Sequence, residues 1–355
     1  MPFDLGSLQA LLPEIILTIA ATVVLLADLW LGEKQKGLLV GLGIAGIAAA
    51  FLSLGPAARL EGELLARMVS ADAFTQLFRV IFLAIALLVL LIAPEYVRKR
   101  GIAPGEFYAL VLYATVGLMF MANGADFILL YLGLELSSIA TYVLVGSMRR
   151  DPRSNEAAIK FMLNGVLASA VLLFGLSFVF GMVGSTNLTD VAAVLAAGEY
   201  DRLLALLALV FITAGFGFKI AAVPFHAWTP DTYQGAPTPV TAFLSAGSKL
   251  GGFAMLLRVF LTGLPGLSEE WSGIFAALAV ITMTVGNVTA LIQTDIKRMM
   301  AYSSIAQLGY VLTGMAVATQ RSVTAMLFYL LAFAFVDMGV FAGITAFSNQ
   351  RDSDG

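Results

Sequence analysis

The 355-residue chain has no cysteine and a single histidine, His226. The first absence removes disulfides, thiolate-bound zinc and iron–sulfur clusters held by this chain. The second removes a histidine-rich metal or haem site. Charge is also scarce: 12% of residues are Asp, Glu, Lys or Arg, and the net charge is −3, too small to point to a nucleic-acid partner. Against this, 60% of residues are apolar, and the mean hydropathy is +0.93. A soluble domain of this length could not hide so much apolar surface, because a folded core leaves a large polar exterior. The composition fits an all-α polytopic membrane protein whose chemistry must use carboxylates, lysines, hydroxyls and water. The amino-terminal stretch has no basic n-region and no small-residue cleavage signature. Its apolar run is too long for a signal peptide, so it reads as a retained first span.

A helix needs about 20 residues to cross the hydrocarbon core. On that ruler spans are expected near 10–31, 37–58, 74–93, 106–123, 126–147, 156–182, 203–223, 238–260, 271–292, 299–319 and 322–347, about eleven in all. The intervals 59–72 and 185–201 read as short interfacial or loop segments. Basic residues collect in alternate connections: Lys34 and Lys36; Arg98, Lys99 and Arg100; Arg149, Arg150 and Arg153; Lys297 and Arg298. The positive-inside rule then predicts an external amino terminus. The loop holding His226 and Asp231 falls on the cytoplasmic side.

Most titratable residues lie at span ends, where a solvated or snorkelling side chain is expected. Glu135, in "FILLYLGLELSSIATYVLV", lies nine residues past Asp126 and fourteen before Arg149. That puts it roughly 14 Å and 21 Å from those markers, near mid-membrane. Lys249, between Thr238 and Arg258, is also central. Lys219 is ambiguous by depth, because a straight helix from Arg202 carries it about 25 Å, to the far interface. The breakers around it argue for a role. Gly215 and Gly217 precede it and Pro224 follows, in "GFGFKIAAVPFHAWTPD". Irregular backbone at membrane depth is tolerated where it is buried in protein or lines a wet cavity, and broken helices beside polar sites recur in transporters.

An isolated charge at the bilayer centre costs at least about 2.5–3.5 kcal/mol, so such residues find partners. A static Glu–Lys pair that fixes packing is the plain alternative. The surplus lysine weakens it and favours a proton shared along coupled sites. Thr241, Ser245 and Lys249 recur every four residues and form one stripe on a helix. Ser248, Asn287, Ser303, Ser304, Gln307 and Tyr310 could extend a polar path. Polar residues also simply pack membrane helices together. Lys160 follows Glu156 by four residues and reads as a surface pair. Asp337 is a further buried charge with no evident place in a path. Moving one charge against about 200 mV needs about 4.6 kcal/mol, or about 3.4 pKa units at one site. Burial and pairing can shift a lysine by about 3–5 units, so the lever is large enough.

Two blocks, "FKIAAVPFHAWTPDTYQGAPTPVTAFLSAGSKLGGF" and "TDIKRMMAYSSIAQLGY", together with "YLGLELSSIATYVLV", carry a resemblance. They resemble the signature blocks of the antiporter-like, proton-translocating subunits of bacterial respiratory complex I, from about residue 70 onward. That resemblance implies two inverted five-helix repeats, each with a broken helix and half of a proton channel. Glu135 then resembles the fifth-helix glutamate that modulates the pump lysine, Lys219 the lysine of the broken helix, and Lys249 the residue that relays protons centrally. Pro224, His226, Trp228 and Asp231 match the block that shapes the turn at the break. The implied organisation is N-terminal helices over 1–105, a first repeat over 106–260, a partial second repeat over 271–347 and a polar tail over 348–355.

The resemblance also implies about fourteen helices, with a broken twelfth that carries an exit-side lysine. After about eleven spans the sequence ends "FAGITAFSNQRDSDG", so the C-terminal part of that fold is missing here. No cofactor is expected on this chain; NADH, FMN, iron–sulfur clusters and quinone are implied on other subunits, and the partners are other membrane-arm subunits and the bilayer. A subunit of a multi-subunit sodium/proton antiporter shares the helix set and stays open as an alternative. A structural membrane subunit is a third reading. A membrane enzyme of lipid or prenyl chemistry would gather acids to hold magnesium and a phosphate, and no compact cluster occurs.

Overall fold

The computed structural model describes residues 5–198 and 200–351. A 3-10 turn, Leu5–Leu11, leads into α1 (Leu12–Trp30), followed by α2 (Gly37–Ala57). A short antiparallel hairpin, β1 (Gly62–Leu64) with β2 (Val69–Ala71), precedes α3 (Ala73–Lys99), α4 (Pro104–Asn123), α5 (Phe127–Val145) and α6 (Pro152–Val183). Then come α7 (Leu188–Ala197), α8 (Arg202–Lys219), α9 (Trp228–Gly235) and the continuous helix α10 (Thr238–Gly263). The order closes with α11 (Ser268–Leu291), α12 (Ile296–Val317) and α13 (Gln320–Arg351). Ten of the described helices are long and apolar enough to span a membrane. The remaining expected span is present as the 22-residue α12. Ser303, Ser304, Gln307 and Tyr310 dilute its apolar character, and it is not among those ten.

The two intervals expected as short interfacial or loop segments hold secondary structure. The first holds the β1–β2 hairpin, a departure from an all-α chain, and the second holds α7. Arg67 clasps them together, donating to Glu63 Oε2 (2.7 Å), Asp190 Oδ1 (2.8 Å) and Asn187 Oδ1 (2.8 Å). Aspartates and an asparagine mark helix starts for a common reason: their side chains accept from backbone N–H groups that the helix leaves unpaired. Asp72, Asp126, Asp151, Asn187, Asp201 and Asp295 all do so.

α10 is the hub. Its apolar window is wholly buried, whereas α6 and α11 turn most of their surface outward. α13 packs across α10 and α3, α9 lies between α6 and α12, and α4 packs on α5. Small residues allow the closest approach. A Cβ added to Gly117 would lie 2.5 Å from Ser137 N and 2.6 Å from Gly133 O, so α4 and α5 meet backbone to backbone.

Two buried guanidiniums tie helices rather than snorkel. Arg79 of α3 donates through Nε to Glu14 Oε1 (2.8 Å) and through Nη2 to Ala10 O (2.7 Å). Both charged side chains are 1% exposed, so the expectation of solvated span-end charges fails here. Arg258 of α10 grips Asp72 with two nitrogens, at 2.6 and 2.7 Å, and donates to Ala122 O (2.8 Å).

Candidate functional site

α8 ends at Lys219, and its end explains the break. Ala222 N donates to Gly217 O (2.7 Å) and Ala221 N to Phe218 O (3.0 Å), around Ala221 at φ 56°. This is a Schellman-type stop with alanine where glycine is usual. Trp228 Nε1 donates to the same Phe218 O (2.9 Å), a second donor on that carbonyl at the helix end. Val223 N donates to Thr282 Oγ1 of α11 (3.0 Å), so backbone freed by the break is satisfied inside the protein. Pro224 and His226 lie within this crossing, the ring of His226 facing Tyr302. Partial burial holds the His226 imidazole below its ordinary pKa.

Lys219 is 6% exposed, which rules out the snorkelling geometry. Its ammonium donates to Ser138 Oγ on α5 (3.0 Å) and lies within electrostatic range of Glu135, one helical turn before Ser138. Glu135 is not in salt-bridge contact with it. Glu135 Oε1 is buried without a hydrogen-bond partner among the described residues. The lysine is thus held by a hydroxyl, with its countercharge nearby but unclasped.

Lys249 is 0% exposed. It follows a π-helical turn, Leu244–Ser248, inside α10, a local irregularity frequent at functional sites. Its ammonium donates to Ser304 Oγ (2.6 Å) and sits 5.0 Å from the Tyr233 ring centre. Asp337 of α13, buried, lies within electrostatic range of Lys249 and faces Ser245 without a close hydrogen bond. Asp337 Oδ2, Ser245 Oγ and Tyr233 OH are all buried without a hydrogen-bond partner among the described residues. Buried polar atoms require hydrogen bonds, and a polar cluster of this kind suits bridging water.

The expected residues divide. Lys249, Ser245 and Ser304 come together, and Ser248 is buried in the same π turn. Thr241 departs from the stripe, its hydroxyl donating to the Tyr233 and Pro237 carbonyls (3.2 and 3.3 Å). Gln307 is partly buried and accepts from Tyr329 OH. Asn287 is exposed on α11 and donates to Tyr310 OH (2.9 Å). Its polarity marked the helix but not the face.

At the end of the break, Asp231 accepts from Lys160 Nζ (2.9 Å) and Arg298 Nη1 (2.6 Å). Burial would raise its carboxyl, but those two cations outweigh it and hold it below the usual aspartate range. The expected Lys160–Glu156 pair forms as well, at 2.7 Å. Lys297, counted above as a loop charge, is instead buried and donates to Ala236 O (2.7 Å). Sequence reasoning missed Ser138 and Tyr233. The first was findable three residues after Glu135 on the same face; the second had no such signal, being brought in by α9.

Residues 124–354, more than half of the chain, match the family model described as NADH:quinone oxidoreductase/Mrp antiporter, transmembrane. The chain is 47% identical to NADH-quinone oxidoreductase subunit N 2 of Symbiobacterium thermophilum, over 96% of this chain and 71% of that one. It is 40% identical to NADH-quinone oxidoreductase subunit N of Trichlorobacter lovleyi, over 99% of this chain and 73% of that one. In shape it matches a chain of respiratory complex I from Thermus thermophilus with a TM-score of 0.78 and 32% identity, over 93% of this chain and 69% of that one. A chain of the Mrp complex from Dietzia matches at TM-score 0.76 and 22% identity, covering 98% of this chain and 65% of that one, a likeness of fold. The chain belongs to the NADH:quinone oxidoreductase/Mrp antiporter transmembrane family.

Proposed function

We propose that this chain is a membrane-embedded subunit of an NADH-quinone oxidoreductase, moving protons across a bacterial cell membrane as electrons pass from NADH to quinone. The observation that carries this reading is the pair of buried lysines, each held by a serine hydroxyl with a carboxylate near but not clasped. A locked ion pair would resist proton exchange. A hydroxyl-held ammonium with a separate countercharge can release and regain a proton when that countercharge shifts. In this reading Glu135 modulates Lys219, protons pass through the Ser138, Tyr233 and Ser245 region to Lys249, and Asp337 tunes Lys249. His226, Trp228 and Asp231 shape the entry, and Thr241, Ser248 and Gln307 support the polar interior.

The redox centres belong to partner subunits in this reading. NADH, FMN, iron–sulfur clusters and quinone would bind there, and a chain without cysteine offers no thiolate for a cluster. The amino terminus lies on the periplasmic side, as the arginine-rich connections imply. The first repeat covers 106–260 and a partial second repeat 271–347.

The test is redox-driven proton pumping in membranes carrying Lys219→Ala, with complex assembly checked in parallel. Assembled complex with electron transfer and pumping both strongly reduced supports the assignment. Near-normal activities reject it. Transport that requires sodium would favour an antiporter subunit instead.

A further inference from the structure

At the arginine-rich end of the bundle, the turn between α3 and α4 and the turn between α5 and α6 enclose a groove of about 780 Å³. Three guanidiniums line it, from Arg100, Arg149 and Arg150, against two carboxylates, Glu106 and Asp151. Both carboxylates are already engaged. Glu106 accepts from Arg149 Nη2 (2.5 Å), and Asp151 caps α6 by accepting from Arg153 N (3.0 Å). Arg150 is exposed and has no carboxylate partner among the described residues. Ser147 Oγ, also in the wall, is buried without a hydrogen-bond partner among the described residues. The start of α6 adds the positive end of a 32-residue helix.

The groove continues along apolar wall formed by Leu110 and Val143. Val143 is 52% exposed on α5. Surplus positive charge and a hydroxyl at the interface, with an open greasy wall below, match a phosphodiester headgroup and its acyl chain. A neighbouring groove of about 820 Å³ on the other side of the same turn makes the contrast. Its lining counts two cations, Lys36 and Arg98, and two carboxylates, Glu33 and Glu95, with Glu95 also paired to Lys99 (3.1 Å).

We propose that the groove between the α3–α4 and α5–α6 turns binds the headgroup of an anionic phospholipid, with one acyl chain lying on Leu110 and Val143. Basic pockets between membrane helices recognise such headgroups because each arginine near the surface adds attraction for anionic lipid. The site is separate from the lysine path and holds whether or not that path carries protons.

The test uses the assembled complex in nanodiscs of mixed phosphatidylglycerol and phosphatidylcholine, released for native mass spectrometry. The unsubstituted protein should retain phosphatidylglycerol in preference to phosphatidylcholine. Arg149→Gln with Arg150→Gln should lower that retention by about fivefold per arginine removed. Arg98→Gln, which takes the same charge from the neighbouring groove, should leave it unchanged. Undiminished retention in the double variant, or an equal loss in Arg98→Gln, overturns the proposal. Release of the lipid by inorganic phosphate alone overturns the lipid assignment in favour of a small-anion site. If the double variant does not assemble, phosphatidylglycerol with a photoactivatable acyl chain decides on the unsubstituted complex. Labelling of the 143–150 segment supports the site; labelling only elsewhere, or crosslinking of that segment to an acidic stretch of a partner subunit, overturns it.

Discussion

Asp337 shows what a single buried carboxylate adds. Lys249 touches Ser304 and the Tyr233 ring, and neither can neutralise an ammonium. Asp337 is the nearby acid. Asp337→Asn keeps the size and removes the charge, so it should cut proton translocation about tenfold or more, the effect of losing ~1.4 kcal/mol of interaction, with assembly intact. Asp337→Glu should restore part of it; vesicle proton uptake driven by NADH reads both. Asp231 gives a pH signature. Its carboxyl is held below the ordinary value by Lys160 and Arg298, so its contribution to stability is fully present above about pH 3.9, the unfolded aspartate value, and is lost as pH falls further. The difference in melting temperature between the unsubstituted protein and Asp231→Asn should therefore hold from neutrality to about that pH and shrink below it. Much of this was visible in the sequence, because Glu135, Lys249 and Asp337 sit inside apolar spans and Lys219 stands among helix breakers. Which carboxylate serves which lysine was not, since α10 and α13 lie more than fifty residues apart in the chain and only tertiary packing brings them together.

Helices and turns carry the constraints that the lysines obey. The break after α8 was legible from its glycines and proline, yet the stop itself rests on Ala221 in the left-handed region, which no sequence rule singles out. The interval expected as an interfacial or loop segment around 59–72 folded into a hairpin because Arg67 has three partners to hold it there. Asn287 on α11 and Tyr310 on α12 point the other way, whereas Ser304 on α12 does hold Lys249. Asn287 satisfies itself on Tyr310, and helical periodicity cannot say which face is inward when both are largely apolar. The α4–α5 contact gives the sharpest prediction at this scale. Gly117→Ala puts a methyl group within 2.6 Å of backbone atoms on α5 that cannot turn aside. It should destabilise the protein by about 1–3 kcal/mol, seen as a lower melting temperature. Gly181→Ala, with nothing within 4 Å of its added carbon, is the matched control and should be neutral or slightly stabilising.

For the whole molecule, the orientation proposed from the basic connections can be read by labelling. The chain has no cysteine, so each introduced thiol reports alone. Lys34→Cys and Arg153→Cys should react with a membrane-impermeant maleimide only from the cytoplasmic side, and Thr189→Cys, on α7, only from the periplasm. The reverse pattern would invert the assignment of entry and exit. Lys249 lies in the segment expected as the first repeat, while Ser304 and Asp337 lie in the segment expected as the second. A gene divided between them, near residues 264–270, would yield two polypeptides that share one electrical balance. The fragment with the lysine would have to enter the bilayer with an unanswered positive charge, and the other with an unanswered negative one. Such halves would be degraded when made singly and would persist when made together, each serving as the insertion partner of the other.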